Sequence, residues 1–275
     1  GWWRWCLQHG CRKGFFGGLE FNNGKKHLKY LHDSIYGEKG SRIRIKNLGD
    51  QFPETLITAD SYNIVGHHLH AAKMIDELYR EMEKELLTLR ERSENDADSP
   101  LVVQLRARQE VEIMKVPTFV DLTTDAYSSG HSVVIFVSFR QTLEAISDRL
   151  MDQDPLPNGL VTIHGEQSDE ERANVINLFQ SNEAQVCVCM IQAGGTGLSL
   201  HDEDGGHPRL SLISPTFSAI ELRQALGRVH RASGKSKSVQ KIIFAADTVE
   251  DQVCRAVRRK LGNLDMINDG ELTPF

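Results

Sequence analysis

The chain has 275 residues, 40% of them hydrophobic and 25% charged, with a formal net charge of -6. That length buries a substantial core, as one large domain or one domain with an extension, and the composition excludes disordered and collagen-like classes. No apolar run approaches the roughly 18 residues of a membrane span. Gly1-Trp2-Trp3-Arg4 lacks the pattern of a cleavable leader, so an intracellular protein is expected, cytoplasmic or in the nucleoid or nucleus, without a membrane partner. The absent initiator Met suggests a piece of a longer chain. Five cysteines, odd in number and not spaced as a framework, fit a reducing compartment. Charge is unevenly spread: residues 1–65 carry 10 Lys/Arg against 6 Asp/Glu, 66–222 carry 12 against 26, and 223–275 carry 10 against 6. Such a chain is a poor stand-alone nucleic-acid binder but keeps local basic faces.

In chain order, residues 1–65 are rich in glycine and aromatics and show little pattern beyond a strand piece at Arg42–Ile45. Residues 66–130 read as a helical extension. Ile75, Leu78, Met82, Leu86 and Leu89 recur at helical spacing, predicting an amphipathic helix over 71–92. Ser93–Pro100 is an acidic linker, and a second helix is predicted over Leu101–Lys115, stopping before Pro117. Together they make a helical hairpin projecting from the sheet domain or, equally, two ordinary packed helices.

Residues 131–275 alternate regularly. The β-branched run Val133–Val137 predicts a strand buried on both faces. A helix over Gln141–Met151 follows, then a strand at Leu160–Ile163 and a helix from Asp169 opened by the capping box Ser168–Glu171. The strand Gln185–Met190 leads into the glycine turn Ala193-Gly194-Gly195-Thr196-Gly197. The strand Leu210–Ile213 leads through Pro215 to a second capping box, Ser218–Glu221, and the helix expected to bear Arg228 and Arg231. A strand at Gln240–Ala245 and a helix from Thr248 to about Lys260 end the series. The expected fold class is α/β, a parallel sheet with helices on both faces, preceded by the helical hairpin and the irregular first segment. Ligands of such sheets sit at the carboxyl ends of the strands, where the glycine turn and the arginine helix both start. No internal repeat is present.

The most pointed chemistry lies in Gln224-Ala225-Leu226-Gly227-Arg228-Val229-His230-Arg231, about thirty residues after the glycine turn. Two arginines three apart make a pair of guanidinium forks, which suit phosphate oxygens better than any other side chain. The bland alternative is a surface helix with two solvated arginines. In the glycine turn, missing Cβ atoms let backbone N–H groups approach a phosphate, or simply allow a tight turn with positive φ.

Other motifs are weaker or absent. There is no G-x-x-x-x-G-K-[ST], and no apolar strand ends in an Asp-Glu pair that could hold magnesium. Asp76-Glu77 lies in the amphipathic helix and Asp202-Glu203-Asp204 in a loop. Cys6, His9 and Cys11 lack a fourth zinc ligand at a known spacing; His67, His68 and His70 read as a helix start. Cys187 and Cys189 are expected on opposite faces of a buried strand, unable to share one ion. No metal site is assigned.

In order, Val133–Phe139, Ile163-His164-Gly165 with Glu171-Arg172 and Phe179, Ala193–Leu200 and Gln224–Arg231 resemble motifs of the second RecA-like lobe of superfamily 2 helicases and translocases, nearest the Swi/Snf-type group. The resemblance covers about half the chain. It implies that Arg228 and Arg231 contact the γ-phosphate of ATP as catalytic fingers, with Gln224 helping to hold the nucleotide or the opposing lobe. By their own chemistry Gly195, Thr196 and Gly197 would touch a nucleic-acid backbone or sense the nucleotide, and His164 and Gly165, ending a strand beside the capped helix N-terminus at Ser168, can hold a nucleic-acid phosphate. For Ser168, plain helix capping is the competing role. ATP and Mg would be held mainly by an N-terminal RecA-like lobe, the expected partner together with nucleic acid, DNA foremost. The chain alone is expected not to hydrolyse ATP. After Arg231 the sequence departs from the group's pattern: Ala232-Ser233-Gly234-Lys235 shifts a glycine by one place and puts Lys235 where a glutamine is usual. Two other functions fit less: an inert RecA-like binding or regulatory module, with the hairpin as its interface, and a doubly wound nucleotide-sugar transferase.

Overall fold

A computed structural model describes residues 1–14, 18–36, 40–41, 52–63, 100–153, 159–193, 198–246, 248, 250–251 and 253–260. The helix expected over 71–92, the linker up to residue 99, the strand piece at 42–45, the histidines at 67, 68 and 70 and the turn residues Gly194–Gly197 lie outside them.

The first segment forms helix α1 (Trp2–Gln8), a small antiparallel hairpin of β1 (Cys11–Lys13) and β2 (Leu19–Phe21), and helix α2 (Lys25–Tyr36). Cys6 and Leu28 are its buried side chains, while Trp2, Trp3 and Trp5 are exposed.

The sheet uses β3 (Thr55–Tyr62), β4 (Ser132–Val137), β5 (Leu160–Ile163), β6 (Val186–Met190), β7 (Arg209–Ile213) and β8 (Ser238–Ala245), in spatial order β3-β8-β7-β4-β6-β5. Every pairing is parallel. The helices are α3 (Pro100–Met114), α4 (Val116–Ser128), α5 (Arg140–Met151), α6 (Asp169–Gln180), α7 (Ala219–Leu226) and α8 over 253–260.

The apolar run of β4 shows why this sheet is buried on both sides. Successive side chains alternate faces. Val134 and Phe136 join one core with Phe179 of α6, Leu222 and Ala225 of α7 and Val253 and Val257 of α8. Val133, Ile135 and Val137 join the other, with Phe119 and Val120 of α4 and Leu143, Ile146 and Leu150 of α5. Each such large side chain, fully buried, contributes about 1.5–3 kcal/mol. The same period corrects the reading of Cys187 and Cys189. Two residues apart on β6, they share a face and one core, with their sulfurs 3.4 Å apart.

Two elements go beyond the expected set, the strand β3 and the helix α4. Strand β3, unforeseen in the first segment, is the sheet's edge, paired along its whole length with β8. The helix expected over Leu101–Lys115 is α3, which stops at Met114 ahead of Pro117 as expected; Pro117 then sits in the first turn of a further helix, α4, where a proline has no N–H to lose. Helix α4 lies directly on the sheet, its Phe119 fully buried.

Candidate functional site

Helix α7 starts as its capping residues dictate. Ser218 accepts a hydrogen bond from the Glu221 N–H at 3.2 Å, and Glu221 in turn accepts from the Thr216 hydroxyl at 3.1 Å. The helix stops at Leu226, with Gly227 as its C-cap, and the Arg228 N–H turns back to the Ala225 carbonyl at 3.0 Å. Arg228 and Arg231 therefore lie beyond the helix, not on it and not at its start by the strand ends. Glycine is a poor helix former, and Val229 leaves the helical path to bury itself in the core at 3% exposure. Cations at this end meet the negative pole of the helix dipole.

Both arginines converge on one backbone oxygen. The Leu198 carbonyl accepts from Arg228 Nη1 at 3.4 Å and from Arg231 Nη2 at 3.1 Å. Leu198 is the first described residue after the glycine turn. The strap is closed a second time where the Leu200 N–H donates to the Arg228 carbonyl at 3.0 Å. Arg228 is buried, and burial, aided by the neighbouring Arg231 charge, holds its guanidinium below the ordinary arginine range. Arg231 is half-buried, and its Nε has no partner among the described residues. Gln224 is exposed on α7.

Residues assigned no role in the site from the sequence hold this segment in place. His230 Nε2 lies 2.9 Å from the Pro53 carbonyl oxygen, and its ring packs against Phe52 at 5.2 Å. His201 Nε2 lies 2.7 Å from Ser233 Oγ, and the Lys235 N–H donates to the Asp202 carbonyl at 2.8 Å. Gly234 packs so closely that a Cβ there would stand 3.0 Å from Pro53 Cγ. The departure from the usual pattern after Arg231 thus falls on a packed turn. Only His230, by its place between the arginines, could have been noticed in the sequence; Pro53 sits where the pattern was unreadable.

At the end of β5, His164 and Gly165 form a turn on which a Gly165 Cβ would meet open space. The His164 N–H donates to Gln167 Oε1 at 3.0 Å, and the buried His164 Nδ1 has no partner among the described residues. Ser168 is fully committed to capping: it accepts from the Glu171 N–H at 3.2 Å, and Glu171 Oε2 accepts from both its N–H and its hydroxyl. Those bonds hold the Glu171 carboxyl below the usual range. Asp169, Glu170 and Glu171 share that first turn, a negative surface that repels phosphate. The structure thus brings Arg228 and Arg231 together on the Leu198 carbonyl, while His164, Gly165 and Ser168 lie between the end of β5 and the start of α6.

The carboxyl edge of the sheet carries a buried charge cluster on the last turn of α3. Glu112 accepts from the N–H groups of Ser138 and Phe139 at 3.0–3.1 Å. Lys115 pairs with Glu250 at 2.7 Å and donates to Ser214 Oγ and the Ile243 carbonyl. These bonds tie the ends of β4, β7 and β8 together. Among the described residues, no three His, Cys, Asp or Glu side chains stand close enough to hold a metal, and no helix is long and apolar enough to cross a membrane.

An all-parallel sheet covered on both faces, with two arginines strapped to the segment after a glycine turn, defines a RecA-like α/β lobe. The helicase conserved C-terminal domain family matches residues 114–233, and the chain is a C-terminal superfamily 2 helicase lobe near the Swi/Snf-type group. It is 37% identical over 242 residues to the "Putative ATP-dependent RNA helicase L364" of Acanthamoeba polyphaga mimivirus, covering 86% of this chain and 42% of that protein. It is 31% identical over 150 residues to the mouse "Chromodomain-helicase-DNA-binding protein 1-like", covering 54% of this chain and 16% of the other. The solved structure of the C-terminal part of the Fun30 ATPase domain covers 86% of this chain and 66% of its own at 17% identity, with a TM-score of 0.45. The chain thus spans about two fifths of its mimivirus relative's length.

Proposed function

We propose that this lobe supplies the arginine fingers of an ATP-dependent helicase or translocase, with ATP and Mg held mainly by an N-terminal RecA-like lobe. The carrying observation is the convergence of Arg228 and Arg231 on the Leu198 carbonyl, directly after the glycine turn. Charge on the departing phosphoryl group must be neutralised, and an arginine placed there is worth roughly 10³–10⁵-fold in rate. Arg231, half-buried and bonded to the Leu198 carbonyl, can exchange that charge-assisted bond, worth about 1.5–3 kcal/mol, for a phosphate oxygen. That oxygen is an anionic acceptor, which binds a guanidinium more strongly than a neutral carbonyl does. Because Leu198 also adjoins Gly195, Thr196 and Gly197, a nucleic-acid backbone contacting that turn would shift the carbonyl on which both fingers rest. Gln224, exposed on α7, faces the nucleotide or the other lobe in this reading. His164 and Gly165 are the more accessible backbone contacts, while Ser168 serves its helix.

DNA is the proposed track, as in the printed name of the mouse relative, while the mimivirus relative is named for RNA. Comparing stimulation of ATP turnover by duplex DNA, single-stranded DNA and RNA decides among them. The finger assignment is tested by Arg231→Ala in the complete two-lobed protein. ATP turnover is expected to fall by roughly 10³-fold or more while nucleotide binding survives; unchanged turnover sinks the assignment. The isolated chain is expected to show negligible ATP hydrolysis, and robust hydrolysis by it would reveal a phosphate site of its own.

A further inference from the structure

The sheet face opposite α4 and α5 is incompletely covered. A groove of about 470 Å³ lies over it, walled by Ile57 and Ala59 of β3, Ile242 and Phe244 of β8, and Leu222 and Leu226 of α7. Helix α8 forms the remaining wall with Val257, and its Arg255 and Arg258 stand at the rim. Ile57 is 43% exposed although β3 pairs with β8 along its whole length, so apolar surface is left open at the mouth. An apolar groove with a cationic rim fits a segment that is both apolar and acidic.

The chain itself carries such a segment. Residues 261–275 continue directly from α8, one wall of the groove. They include Leu261, Leu264, Met266 and Ile267, three carboxylates (Asp265, Asp269 and Glu271) and no Lys or Arg. Fifteen residues extend up to about 50 Å, ample to fold back over α8. We propose that residues 261–275 dock into this groove, with their apolar side chains on the exposed face of β3 and β8 and their carboxylates on the Arg255 and Arg258 side. Docked there, the segment also presses on Leu222 and Leu226, the last turn of α7 before Arg228. It would act as a buttress for the arginine strap.

Hydrogen exchange of the full chain tests this. Replacing the three carboxylates together (Asp265→Lys, Asp269→Lys, Glu271→Lys) is expected to speed amide exchange in β3, α7 and α8 by roughly tenfold, leaving β4 and β6 unchanged. Adding Arg255→Glu to that variant is expected to restore much of the protection by reversing the rim charge. A chain ending at Lys260 should exchange like the triple variant, and a synthetic 261–275 peptide added to it should slow exchange again. Exchange in β3, α7 and α8 that is indifferent to both the charge reversal and the truncation overturns the proposal. Protection lost only on deleting 66–99 assigns the groove to that segment instead. Protection that rises with protein concentration assigns it to a second copy.

Discussion

Arg209 and Arg231 show how differently one side chain is used within a single lobe. Arg209 opens β7 at 1% exposure, in a built cage: Nη1 donates to Asn182 Oδ1 at 2.7 Å, and Nη2 reaches the carbonyls of Phe179 and His201 and the Gln180 side chain. Its guanidinium stacks 4.5 Å from the Phe179 ring centroid. Burial lowers its pKa to about 10, partly opposed by Asp202, so it stays charged at neutral pH. Arg231 is half-buried and rests on one carbonyl, 3.1 Å away. The first arginine is enclosed on every side and holds loop 198–208 against α6; the second keeps the freedom to meet a ligand. Burial and the number of acceptors, not residue type, separate a structural arginine from a functional one.

The contrast can be broken in four ways, taken from the largest expected effect to the smallest. Arg209→Ala should remove about 3–5 kcal/mol of stability by emptying the cage, read as a lower urea midpoint. A loss below about 1 kcal/mol would mean the cage is not structural. Ser218→Ala removes the N-cap of α7 and should cost about 1 kcal/mol, with a smaller drop in turnover of the complete protein than Arg231→Ala causes. Arg231→Ala itself should cost no more than about 1.5 kcal/mol in the isolated chain, the low end for a charge-assisted bond, because the side chain is only half-buried. A melting curve showing several kcal/mol lost would put Arg231 in the same class as Arg209.

The smallest effect is a pH dependence. Burial lowers the pKa of His201, so the folded state favours the neutral ring. Its contribution is full above the unfolded value of about 6.5 and is lost as pH falls through that value towards the folded pKa. Thermal melts at pH 7 and pH 6 should differ less in His201→Gln than in the parent chain, and equal differences would remove His201 from the account.

Much of the fold was legible because its signals are local. Val133–Val137 is apolar at every position, so it had to be buried on both faces. The capping residues Ser168 and Ser218 each point to their own helix start, and the strand at Leu160–Ile163 appears with the bounds its pattern implies. Strand β3 was not legible, because Thr55–Tyr62 mixes Asp60 and Ser61 into its run and gains its place only by pairing with β8, more than 170 residues later. Helix α4 was hidden by Pro117, which reads as a stop until the geometry shows it in the first turn.

The sequence by itself determined the chemistry available: a glycine turn, two guanidinium groups three residues apart, and no phosphate loop of its own. Residue types and short spacings carry that information, since they depend only on covalent neighbours. The tertiary structure alone decided where those groups point. It ended α7 at Leu226, brought Leu198 beneath both arginines and locked His230 on Pro53, 177 positions away. The last two depend on backbone carbonyls from distant segments, which are the same in every residue and so leave no mark in the sequence.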